Sequence, residues 1–147
     1  MSKRLLFVED EPSLARAVSR LLRRAGYDVL VAGSATEARA ATGAFSLGVF
    51  DLDLPDGDGV ELASELFDRH VVRRVVFFSG TPDEKRRLRA TTIGPFIDKA
   101  LGTDSLLRAV ELLLSTEHVK VSGAGDVRLG ESSSPPPSGV TPKKRGR

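Results

Sequence analysis

LGVFDLDLPDGDG, residues 47–59, opens as an apolar run and breaks at Asp51 into Asp, Pro and Gly. A short run of this kind, bounded by turn residues, suits a strand of a parallel sheet covered on both faces. Similar runs stand at Arg4–Val8, Asp28–Val31, Val75–Phe78 and Phe96–Ile97. Between them the apolar spacing becomes helical. Leu14, Ala17, Val18, Leu21 and Leu22 follow Pro12, and Gly26 marks the end of that helix. Ser34 can cap a second helix, with Glu37 three residues on. A third helix is expected after Gly59, a fourth from near Pro82, and a fifth with Leu106, Leu107, Val110, Leu113 and Leu114 on one face. Five βα units in succession predict an α/β fold with an open, doubly wound, five-stranded parallel sheet. Ligands bind such sheets outside the carboxyl ends of the strands, near a topological switch point.

The 147 residues suffice for one domain with a substantial core plus an appendage. With no cysteine there is no disulfide, thiolate metal site or cysteine nucleophile, which suits a cytoplasmic location. The run Leu5–Val8 meets Glu9, Asp10 and Glu11 too early for a secretory signal, and no apolar stretch approaches membrane-spanning length. The net charge of +2 hides an asymmetry. Residues 118–147 hold 6 of the 22 Lys+Arg and 2 of the 20 Asp+Glu, which leaves 16 and 18 for residues 1–117. Residues 1–117 are therefore the expected domain, and 118–147 a flexible, basic Gly/Ser/Pro-rich tail, disordered from Ser132 onward. Val119–Val121 and Val127–Leu129 could pair as a hairpin, which alone would be marginal.

The strand assignment puts polar residues at carboxyl ends: Glu9 and Asp10 after the first, Asp51 at the third, Ser79 at the fourth and Lys99 at the fifth. One acidic loop residue is usually just solvated; their joint placement predicts a single crevice. Four motifs carry a family resemblance: Val8-Glu9-Asp10-Glu11-Pro12, DLDLPDGDG from Asp51, Ser79-Gly80, and Phe96-Ile97-Asp98-Lys99. In order and spacing they resemble the receiver domain of two-component response regulators, of the single-domain chemotaxis type, over about residues 3–117. The resemblance implies a flavodoxin-like strand order 2-1-3-4-5. It makes Asp51 the phosphoacceptor and Asp10 a direct metal ligand, with Glu9 acting through water and the Asp53 backbone carbonyl completing the protein ligands. Ser79 and Lys99 would bind phosphoryl oxygens, and Phe96 would follow Ser79 as a switch. Pro55 and Gly59 would shape the loop, Gly80 would leave room for the phosphoryl group, and Asp53 and Thr81 would tune hydrolysis.

The chemistry accounts for these residue types. A carboxylate can attack phosphorus in line, but phosphoryl transfer depends mainly on positioning and on neutralising charge. Glu9, Asp10 and Asp51 bring three negative charges, and an acyl phosphate adds roughly 1.5 to 2 more. Like charges about 4 Å apart cost on the order of 4 kcal/mol per pair at an effective dielectric near 20, so Lys99 alone cannot offset the crowding. A divalent cation with oxygen ligands is expected, Mg2+ or Mn2+. Two residues depart from the family pattern. Glu9 replaces the commoner Asp, and Ala100 stands where the family has a cis-linked proline. A non-proline cis bond costs about 2.5–4 kcal/mol, so Lys99–Ala100 is expected to be trans, with a different loop path.

The partners implied are a histidine kinase or phosphotransfer protein and a downstream protein, met through the face of the fourth helix, fifth strand and fifth helix. A homodimer stays open. Any enzymatic activity would be limited to self-phosphorylation and dephosphorylation. Residues 118–147 are too few and too polar for a typical DNA-binding effector, and Lys143, Lys144, Arg145 and Arg147 would give only weak, salt-sensitive contact with nucleic acid. Alternatives are a receiver-like binding module that is never phosphorylated and, through the Asp51/Asp53 pair, a haloacid-dehalogenase-type phosphohydrolase. A calcium loop is excluded, because its fifth, sixth and twelfth positions would be Pro55, Asp56 and Leu62.

Overall fold

The computed structural model describes residues 3–123, with side chains as far as Ser115. In chain order the elements are β1 (Arg4–Val8), α1 (Pro12–Arg24), β2 (Asp28–Ala32), α2 (Ala35–Ala40) and β3 (Leu47–Phe50). A small hairpin, β4 (Asp53–Leu54) and β5 (Gly57–Asp58), leads into α3 (Gly59–Asp68). Then come β6 (Val75–Ser79), α4 (Glu84–Thr91), β7 (Phe96–Asp98), a 3-10 turn at Lys99–Leu101 and α5 (Thr103–Gly123).

Helix starts follow local chemistry. Pro12 opens α1, where its missing N–H is no loss, and the Glu11 carboxylate accepts from the Leu14 N–H at 2.6 Å. Gly26, at φ 102°, lets the chain turn out of that helix. Ser34 caps α2 by accepting from Glu37 N at 3.1 Å, but Glu37 returns the bond to Gly33 N, at 2.7 Å, one residue earlier than a capping box requires. Asp83 caps α4 through the Lys85 and Arg86 N–H groups.

The five longer strands form one parallel sheet in the order β2-β1-β3-β6-β7, equivalent to the expected 2-1-3-4-5 because the hairpin takes two labels. Val8 lies opposite both Ala32 and Phe50, and Phe50 opposite Phe77, so β1, β2 and β3 finish level and β6 runs two residues further, to Ser79. The chain leaves β1 to one side for β2 and then crosses to β3 on the other, which puts the switch point between β1 and β3.

Central strands β3 and β6 are buried throughout, as continuous apolar runs require. The outer strands differ from that expectation: Leu30 of β2 is 41% exposed and β7 is half-buried along its length, because each has a neighbour on one side only. Phe50, Phe77, Leu6, Leu62 and Leu66 are wholly buried in the core beneath the strand ends.

The unit ending at Glu111 contains the sheet. Of the second unit, Leu112–Gly123 is described and is helical. Val119–Val121 therefore extend α5 instead of forming a hairpin strand. An added helical residue gains a hydrogen bond without a new nucleus, whereas a lone hairpin has no layer to pack on. Val127–Leu129 and the basic tail lie outside the described residues.

Candidate functional site

Each residue expected in the crevice sits at a strand end. Asp51 follows β3 directly, and its N–H continues the sheet ladder to the Val8 carbonyl at 3.1 Å. Its carboxylate belongs to a residue only 4% exposed. Ser79, the last residue of β6, donates its hydroxyl to Asp51 Oδ1 at 2.7 Å and accepts from the Leu52 N–H at 3.3 Å. The Asp53 N–H also donates to Asp51 Oδ1, at 3.2 Å. From the end of β7, Lys99 Nζ reaches Asp51 Oδ2 at 2.9 Å and Glu9 Oε1 at 2.9 Å. No peptide among the described residues is cis, so Lys99–Ala100 is trans as expected. The chain passes through the 3-10 turn, held by Asp98 Oδ1 accepting from Ala100 N at 2.8 Å, and still delivers the ammonium to Asp51.

Glu9 is buried, at 1% exposure, and Asp10 beside it is exposed. One carboxylate oxygen from each of Glu9, Asp10 and Asp51 lies within 4.8 Å of the others, a spacing that could hold a metal ion. Burial pushes the Glu9 pKa up, and the Asp51 charge adds to the rise, against the opposing pull of Lys99 and the Glu11 N–H. Burial alone would lower the Lys99 pKa, but Asp51 and Glu9 reverse this and leave it raised, so the ammonium stays charged. Glu9 Oε1 meets that ammonium as an ion pair at 2.9 Å. A buried carboxylate oxygen whose one partner is that ammonium, beside the oxygens of Asp10 and Asp51, suits oxygen-ligand binding of a cation directly or through water.

Around this centre the loop is more structured than its composition suggests. Asp53 pairs with Asp58 and Leu54 with Gly57, leaving Pro55 and Asp56 as the exposed turn. The Asp56 carboxylate accepts from Ala35 N at 2.7 Å, Thr36 N at 2.9 Å and Thr36 Oγ1 at 2.6 Å, so the turn caps α2. These bonds, the Thr36 hydroxyl first, hold the Asp56 pKa down at about 2. Gly59, the first residue of α3, passes so close to Asp51 that a Cβ there would stand 1.9 Å from the Asp51 carbonyl oxygen. At Gly80 a Cβ would make ordinary contact with the Lys99 side chain at 3.8 Å, so a methyl fits. Thr81 is buried, and its hydroxyl accepts from Asp83 N at 3.3 Å. Phe96 is half-buried with the Arg87 guanidinium 4.9 Å above its ring.

Two contacts lay beyond the sequence. Asp56 acts on a helix 21 residues back. Arg86, one of four basic residues in α4, reaches the loop after β3, where it donates to Asp53 Oδ1 and the Leu52 carbonyl. The Asp53 carboxylate thus points to Arg86 and is not part of the acidic cluster.

The model of the response regulator receiver domain family matches residues 5–111. The chain belongs to the response regulator receiver domain family. This receiver domain is 32% identical over 138 residues to the transcriptional regulatory protein AruR of Pseudomonas aeruginosa, covering 87% of this chain and 56% of AruR. It is 36% identical over 122 residues to the transcriptional activator protein PfeR of the same organism, covering 76% of this chain and 40% of PfeR. The chain thus spans about half or less of these curated relatives. Among solved structures, a CheY-like receiver domain protein from Methanospirillum hungatei superposes with a TM-score of 0.73 at 24% identity, covering 82% of this chain and 99% of that one. TrrA of Thermotoga maritima, solved in complex with Mg(2+)-BeF, gives 0.67 at 24% identity, covering 76% and 98%. Both share the fold. Receiver domains take phosphoryl groups from histidine kinases, and the acidic pocket of Glu9, Asp10 and Asp51 fits a cation and phosphorylation. No helix among the described residues is long and apolar enough to cross a membrane.

Proposed function

We propose that the chain is a phosphoacceptor of a two-component or phosphorelay system, taking a phosphoryl group on Asp51 from a histidine kinase or phosphotransfer protein. The observation that carries this is the state of the Asp51 carboxylate: buried, with Ser79 on one oxygen and Lys99 on the other, and Glu9 and Asp10 alongside. Asp10 and Asp51 would hold Mg2+ or Mn2+ together with the Asp53 carbonyl, and Glu9 would act through water. When bound, the cation supplies charge neutralisation for the phosphoryl oxygens. Asp51 is the nucleophile, and Ser79 and Lys99 turn from its oxygens to those of the incoming group. Pro55 and Gly59 fix the loop, Gly80 keeps its edge open, and Asp53 and Thr81 set the rate of hydrolysis.

Output would pass to a protein partner from a cytoplasmic location, through the face of α4, β7 and α5, where Leu88 of α4 is 65% exposed. As Ser79 moves inward, Phe96 would leave Arg87 for the space behind it. The phosphohydrolase alternative lacks support, since the Asp53 carboxylate it needs is engaged by Arg86.

The test is intact-mass spectrometry after incubation with Mg2+ and acetyl phosphate. One labile phosphoryl adduct is expected, absent in Asp51→Asn. An Asp51→Asn protein labelled at the wild-type rate would refute the assignment, and sustained phosphate release would favour the hydrolase.

A further inference from the structure

The interaction that this chemistry leaves unused is the one made by Arg86. Its guanidinium crosses from α4 to the loop after β3, where Nη1 donates to Asp53 Oδ1 and Nη2 to the Leu52 carbonyl. Asp58 Oδ1 lies 3.7 Å from Nη2. Of the neighbouring basic residues, Arg87 stacks on Phe96 and approaches Asp98 at 3.5 Å, and Arg89 shares Asp58, at 3.4 Å, without reaching Asp53. Arg86 is also the most covered of the three, at 26% side-chain exposure, and its pKa is raised chiefly by the bond to Asp53. A forked guanidinium can grip a carboxylate and a carbonyl together, which an ammonium cannot do with the same geometry.

The electrostatic setting gives this grip a use. Asp53 is two residues from Asp51, and its own N–H is bonded to Asp51 Oδ1. Released from Arg86, its carboxylate would be a fourth negative charge beside Glu9, Asp10 and Asp51. The donors that must approach Asp51 are themselves anions.

We propose that Arg86 is a positioning residue for phosphoryl transfer: it holds the Asp53 carboxylate out of the acidic pocket and neutralises it, so that an anionic donor meets three carboxylates instead of four. This rests on Asp51 being the phosphoacceptor. In the step affected, an Asp51 carboxylate oxygen forms a bond to phosphorus while the donor's P–O or P–N bond breaks. Acetyl phosphate releases acetate, and monoanionic phosphoramidate releases ammonia, its nitrogen already carrying the proton that the leaving group needs.

The experiment uses the full chain with Mg2+ and subsaturating donor, the initial rate being read by intact mass. Arg86→Ala should slow labelling by dianionic acetyl phosphate about three- to fivefold, the reach of a partly exposed ion pair. With monoanionic phosphoramidate the loss should shrink to roughly twofold, because repulsion scales with donor charge. Asp53→Asn added to Arg86→Ala should restore the rate, and Arg86→Lys should fall between wild type and Arg86→Ala. Equal losses with both donors, or no recovery in the double variant, would mean that Arg86 only braces the loop and would overturn the proposal. So would a wild-type rate in Arg86→Ala. A wild-type chain that accepts no phosphoryl group from either donor would instead remove the Asp51 assignment itself, before any variant is compared.

Discussion

Replacing Gly59 by alanine tests whether the contact between α3 and the end of β3 is as close as it looks. An added Cβ would lie 1.9 Å from the Asp51 carbonyl oxygen and 2.8 Å from both the Asp51 carbonyl carbon and Leu52 Cα, whereas real Cβ contacts stay above 3.0 Å. The shortfall of 1.1 Å, 3.0 less 1.9, falls on backbone on both sides, so no rotamer change relieves it. Overpacking of this kind costs about 3 kcal/mol. Strain on the Gly59 N–H bond to the Leu52 carbonyl, now 3.0 Å, adds to it. For a domain of this size each kcal/mol moves the melting temperature by roughly 3–5 °C, so Gly59→Ala should melt about 10–15 °C below wild type. If Asp51 is the phosphoacceptor as proposed, a shift of about 1 Å next to it should also slow labelling by acetyl phosphate on the order of a hundredfold. Thermal denaturation by circular dichroism and intact-mass kinetics read the two effects. Gly33→Ala is the control, since its Cβ would meet only the Glu37 carboxylate, at 3.6 Å. If Gly59→Ala melted within about 2 °C of wild type and was labelled normally, the close approach would not constrain the site.

Three further outcomes are expected. Ser79→Ala removes the donor to Asp51 and strands the Leu52 N–H, so stability should drop by about 1–3 kcal/mol in urea denaturation, together with slower phosphorylation; unchanged stability would count against that network. Asp10→Asn should keep the wild-type melting temperature, because Asp10 is exposed, yet weaken Mg2+ binding at least about tenfold by isothermal titration. Equal affinity would remove Asp10 from the ligand set. Asp56 has its pKa depressed to about 2 by folding, so its contribution is complete above the unfolded value near 4 and is lost as pH falls toward 2. The melting difference between wild type and Asp56→Ala should close over that interval, and a gap constant with pH would contradict the capping role.

The fold was legible because its signals are local. Apolar runs of four or five residues, Pro12 at a helix start and Gly26 at its end mark β1, α1 and β3 without tertiary knowledge. Asp51, Ser79 and Lys99 could be placed because a parallel sheet aligns its carboxyl ends whatever lies between the strands. The hairpin was hidden, since two residues per strand carry no periodicity and its stability comes from Asp56 docking on α2. Arg86 was hidden for another reason. Lys85, Arg86, Arg87 and Arg89 look alike in one dimension, and only the rotation of α4 about its axis sends one to Asp53 and another to Phe96.

Lys99 is shared between two carboxylates, with 2.9 Å to each, and that sharing bears on how the protein is born. A pocket of three acids with no internal cation would have to wait for a metal before the strand ends could close, as small metal-nucleated domains do. Here one tethered ammonium, supplied by the last strand of the sheet, brings Glu9 and Asp51 together by the time the chain has finished folding. On the proposed reading, a newly made molecule should reach its native shape in a magnesium-poor moment and take up the ion later, so that cation supply would govern phosphorylation and not survival of the fold.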